Sequence, residues 1–152
     1  MQSFKIIKPI HILTPYVRYY WILEDGADVS VSERTLPTGC IQLVFHRGKR
    51  LLLVGKKESQ PQAFICGQCL NFSDVMSAGK IEMITVVFQP YAARAILQLP
   101  LKFFYGELIA VDAIEDLELS ILSRKVIEAD DHETCIRLIE QFLIHRLYRF
   151  EG

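Results

Sequence analysis

The sequence predicts an α+β protein in which a β-barrel or sandwich comes first and helices follow. Three observations lead there. Upstream of Pro90, short runs alternate apolar and polar residues, are rich in aromatic and β-branched side chains, and stop at turn signals. Downstream of Pro90 the apolar period changes from two to about 3.6. The two kinds of element are segregated along the chain, which argues against a doubly wound parallel sheet. A chain of 152 residues with 51% hydrophobic residues can build one proper core, so one domain is expected over 1–152, with a β part of about 1–89 and a helical part of about 90–152.

Pro9 and Pro15 make residues 1–15 extended or looping chain. From Tyr16 to Glu24 a strand is predicted, with Val17, Tyr19, Trp21 and Leu23 on one face and Arg18, Tyr20, Ile22 and Glu24 on the other; Asp25–Gly26 ends it. Val29–Leu36 reads as a short strand stopped by Pro37. Cys40–Arg47 is the clearest two-sided strand. Ile41, Leu43 and Phe45 face one way; Cys40, Gln42, Val44 and His46 face the other. Such a wall suits a barrel with one face toward a lumen, and either face fits that role. Leu51–Gly55, Ala63–Cys66 and Phe72–Met76 are further short strands, and Lys80–Phe88 is the strongest after Cys40–Arg47. Pro90 opens a helix over Tyr91–Leu99, which Pro100 ends. A less regular stretch leads to a helix at Ala113–Ala129, with Asp112 placed to cap it. The last helix spans Asp131–Phe150, with Asp130 and Glu133 spaced as a capping box.

Charge and composition exclude several classes. With 17 basic and 18 acidic residues the net charge is −1, whereas a free-standing DNA-binding domain carries a basic surplus to neutralise phosphates. No apolar run approaches the roughly 18 residues that span a bilayer, so no membrane partner is expected. The N-terminus is a poor signal peptide, and four cysteines without secretory context fit reduced thiols in a cytoplasm.

Cys66–Gly67–Gln68–Cys69 has redox-pair spacing, but it lies between two short strands instead of opening a helix, so two ordinary cysteines around a turn are expected. The histidines His11, His46, His132 and His145 are isolated, and none has a partner two residues away. The paired histidines of a barrel metalloenzyme are therefore missing, and no metal, other cofactor or catalytic residue is expected. Gln42 stands between apolar neighbours and needs a hydrogen-bond partner or a ligand. Together with Tyr19, Trp21, Arg34 and His46 it forms the candidate ligand-binding set, since small-molecule pockets combine apolar walls with a few aimed polar groups. On the last helix Cys135, Leu138, Ile139, Phe142 and Leu143 make a long apolar stripe. It is the candidate surface for a homodimer about a two-fold axis.

Five stretches in order carry a resemblance: the aromatic run Tyr16–Trp21, LPTGCIQLVF at Leu36–Phe45, FICGQ at Phe64–Gln68, the strand exit Val86–Pro90, and LIEQFLIHRL at Leu138–Leu147. Together they resemble the N-terminal domain of bacterial AraC-type transcription regulators. The chain departs from that pattern at Tyr91, where Gly is common, and at Gln42, where an acidic residue is frequent. The resemblance implies a cupin-like β-rich domain that senses a small-molecule effector or dimerises. It also implies that DNA is bound only through a C-terminal helix-turn-helix domain, absent from this chain, so that residues 1–152 are the regulatory part of a longer regulator. The competing expectation is a stand-alone cupin-like binding protein or enzyme.

Overall fold

A computed structural model describes residues 2–25, 41–48, 52–53, 61–67, 75–76, 81–90, 92–98 and 109–151. The strands are β1 (Gln2–Ile7), β2 (Val17–Asp25), β3 (Gln42–His46), β4 (Leu52–Leu53), β5 (Ala63–Cys66), β6 (Val75–Met76), β7 (Ile81–Phe88) and β8 (Ile109–Ala110). The helices are α1 (Ala92–Leu97), α2 (Leu117–Glu128) and α3 (His132–Glu151). Six strands form one open antiparallel sheet in the order β1-β2-β7-β3-β5-β8, and β4 pairs with β6 separately. The chain mixes helix and sheet as expected, and the two long helices follow the sheet, but the sheet is open and its last strand, β8, comes after α1.

The helices pack on one face of the sheet. Tyr20 and Ile22 of β2, Leu43 and Phe45 of β3, and Ile84, Val86 and Phe88 of β7 meet Leu119, Leu122 and Val126 of α2 and Cys135, Ile139 and Leu143 of α3 in a single core. Fully burying each such aliphatic or aromatic side chain contributes roughly 1.5–3 kcal/mol, which is why the purely apolar face of the Cys40–Arg47 stretch turns toward the helices. Two polar ties hold the helices in register. Glu140 on α3 accepts from the Tyr20 hydroxyl at 3.1 Å and the Ile10 amide at 3.0 Å. Arg146, also on α3 and buried, donates to both carboxylate oxygens of Asp116 at 2.6 and 2.7 Å.

Several boundaries differ from the sequence reading. The N-terminal stretch is an edge strand paired along its whole length with β2. A bulge between Val17 and Tyr19 sets two β2 residues against one of β7, so Val17 joins the core with Tyr20 instead of the face carrying Tyr19. Helix α1 ends at Leu97 because Gln98 takes φ 54°, a left-handed cap in place of the stop expected at Pro100. Asp112 lies in a 3-10 turn, and α2 starts later, capped by Asp116 through the Leu119 amide. In α3 the Thr134 amide donates to Asp131, which caps where Asp130 was expected to. The short strand β8 arises in the segment read as irregular. The expected strand Val29–Leu36 lies outside the described residues. Among the described residues, no helix is long and apolar enough to cross a membrane.

Candidate functional site

The face of the sheet turned away from the helices holds the candidate site. Residues directly opposite in a ladder place their side chains on the same face. By register, Tyr19, Val87, Gln42 and Cys66 form one row across β2, β7, β3 and β5. Trp21, Thr85, Val44 and Phe64 form the next row, and Leu23, Met83 and His46 a third. All of the predicted ligand-binding residues except Arg34 therefore share one surface; Arg34 lies outside the described residues.

This face is buried although the helices lie on the other side. Gln42 is 1% exposed, and His46 and Thr85 are 0% exposed. Among the described residues the Oε1 of Gln42 and the Oγ1 of Thr85 have no hydrogen-bond partner. A buried polar atom left in that state costs about 1–3 kcal/mol, which sets these two oxygens apart from the rest of the face. The ring of His46 stands 5.8 Å from that of Phe64 at a tilt of 34°. Burial pushes the Cys66 thiol up to about 12, which makes it a poor nucleophile; Cys69, the other half of the redox spacing, is outside the described residues. The chemistry available is an apolar, aromatic wall with aimed acceptor and hydroxyl groups, suited to holding a small molecule.

One residue past His46, the chain presents Arg47 to the opposite face. Its guanidinium donates to Glu82 Oε2 at 2.9 Å and to the carbonyls of Val126 at 2.8 Å and Ala129 at 2.7 Å, and it also meets Cys135 Sγ. Those carbonyls belong to the C-terminal end of α2, whose partial negative charge a cation complements. Burial opposes the charge on Glu82, but the Arg47 guanidinium and then His132 hold its carboxyl below the usual range. Burial likewise pushes the Cys135 thiol up, against the pull of Arg47. Strand β3 thus carries Gln42 and His46 on one side and, at its end, the clamp on the α2–α3 corner on the other.

Of the residues expected at a dimer surface, Cys135, Ile139 and Leu143 are 0% exposed within the chain's own core, and Leu138 and Phe142 are half-buried against it. The Arg146 guanidinium sits 4.7 Å from the centre of the Phe142 ring. Sequence reasoning missed Thr85, although a hydroxyl within an apolar strand is the same signal as Gln42. It also missed Arg47, and a grouping of His132 with Glu24 and Glu82 that joins three distant elements. Residues 5–110 match the family described as a domain of unknown function, DUF6597, and the chain belongs to it. No curated protein matches the chain.

Proposed function

We propose that this DUF6597 chain is the effector-sensing domain of an AraC-type transcription regulator, a binding module and not an enzyme. The observation that carries the reading is the buried polar face, above all Gln42 Oε1 and Thr85 Oγ1, which lack partners among the described residues. The motif resemblance supplies the class, with a cupin-like barrel around that face. An effector accepting from Thr85 and donating to Gln42 would move β3 and β7. Arg47, just past the end of β3, and Glu82 on β7 would pass the shift to α2 and α3, and so to a DNA-binding domain beyond them. The same reading includes a cytoplasmic homodimer, for which Leu117 and Ile121 of α2 and Tyr148 of α3 are exposed large apolar side chains on the helices.

The test is a metabolite screen by thermal denaturation. A ligand at about 100 times its Kd stabilises by about 2.7 kcal/mol. For a chain of this size that raises Tm by about 5–11 °C. The expected hit loses its effect in Gln42→Leu and Thr85→Val and slows amide exchange at the α2–α3 corner. A hit that both variants bind unchanged, or one that leaves the corner's exchange as it was, defeats the reading.

A further inference from the structure

On the helix side of the sheet, Glu24 of β2 and Glu82 of β7 stand directly opposite each other in the ladder. Like charges in that position repel, so something positive has to lie between or beside them. Arg47 occupies only Glu82 Oε2. The inner oxygens face His132 at the start of α3: its Nε2 lies 3.2 Å from Glu24 Oε1 and 3.1 Å from Glu82 Oε1, and the three ligand atoms are all within 4.8 Å of one another.

We propose that Glu24, Glu82 and His132 form a binding site for a divalent transition cation, zinc or manganese in character. Donor atoms on neighbouring vertices around such an ion, at about 2.0–2.2 Å from it, are about 2.8–3.6 Å apart between octahedral and tetrahedral geometry. The two nitrogen–oxygen separations, themselves a hydrogen bond and an ion pair, fall in that range. One imidazole nitrogen with two carboxylate oxygens is a donor set for zinc or manganese and a poor one for soft ions. The charges fit as well. Two carboxylates against one guanidinium leave a net negative cluster, and Arg47 is in part engaged by the negative end of α2. Arg47 also orients Glu82 by holding the oxygen that the ion would leave free, as the outer partners of metal ligands do.

Access is open. The three side chains keep 43% (Glu24), 25% (Glu82) and 21% (His132) of their exposure. His132 also borders a groove of about 400 Å³ between the β1–β2 edge and α3, with Ile7, Ile22 and Ile136 as apolar lining, Lys5 and Arg137 as cations and Glu133 and Glu140 as acids. Three protein ligands leave coordination positions for water, which the groove admits. The site lies on the other side of the sheet from Gln42 and Thr85; Glu82 is shared with the proposed coupling route, but metal binding is read without any effector, so either reading can fail alone.

The experiment titrates the chelator-stripped chain with zinc chloride and, separately, manganese chloride, by calorimetry and by electron paramagnetic resonance of the manganese form. One equivalent is expected to bind, with a nitrogen coupling from the imidazole in the resonance spectrum. His132→Gln and Glu24→Gln are each expected to weaken binding by about tenfold or more. His145→Gln, on the exposed side of α3, is expected to leave it unchanged. Melting curves without metal show whether each variant is folded, and His132→Gln keeps a polar side chain at the helix start for that purpose. Absence of stoichiometric binding by the wild type, or binding that His132→Gln leaves intact, overturns the proposal.

Discussion

Replacing Arg47 with methionine removes one guanidinium from four partners while keeping most of the apolar stem. Glu82 loses its 2.9 Å ion pair, and the Val126 and Ala129 carbonyls lose donors at 2.8 and 2.7 Å. Removing one member of a buried ion pair costs about 3–5 kcal/mol, because the remaining charge stays behind. The Arg47 side chain is 8% exposed but that of Glu82 is 25% exposed, so water recovers part of the loss. The net cost comes to about 2–4 kcal/mol. That corresponds to a fall in Tm of about 5–15 °C for a chain of this size. Lysine at this position offers a point charge in place of a planar fork, reaches fewer of the partners, and recovers only part of the loss. The double variant Arg47→Met/Glu82→Met should be more stable than Arg47→Met alone, since no charge is then left uncompensated. Acid supplies a second check. Glu82 is depressed in the folded chain, so its contribution is complete above the unfolded carboxylate range and is lost as pH falls through the folded value. The gap between wild type and Arg47→Met should therefore narrow in acid. Urea unfolding at neutral and acid pH measures both quantities. A loss below about 1 kcal/mol at neutral pH would refute the clamp, since that is the range of an exposed pair.

Three further outcomes follow from the same geometry. Gln42→Leu and Thr85→Val should leave stability unchanged or raise it by up to about 1 kcal/mol in urea unfolding, because their buried oxygens bond to nothing among the described residues; a loss above that would mean that both groups are structural. Arg146→Met should cost about 3–5 kcal/mol, since it orphans the Asp116 carboxylate that also caps α2, whereas Arg149→Ala, which breaks the exposed pair with Glu118, should cost under about 1 kcal/mol. In alkylation followed by mass, Cys66 should stay unmodified in the native chain near pH 8 and react on unfolding, as its thiol titrates at about 12; rapid native labelling would revive the redox reading of Cys66 and Cys69.

The sequence by itself determined the class of this fold and the composition of its two strand faces. Alternation in Cys40–Arg47 and Lys80–Phe88 is local, written two residues at a time, and the period change after Pro90 is equally local. That is why Gln42, His46, Tyr19 and Trp21 could be grouped before any strand order was known. Tertiary structure decided which face met the helices, because Leu43 and Phe45 are apolar in either case and only docking chooses their partners. It decided the position of Val17, since a bulge is a property of two paired strands. It turned the stripe Cys135, Ile139 and Leu143 inward, where periodicity could say only that one side of α3 is apolar. Above all, it brought Arg47 to the end of α2, and His132 to Glu24 and Glu82. Charges far apart in the chain meet through strand register and helix docking, and no spacing rule along a single segment records such a meeting.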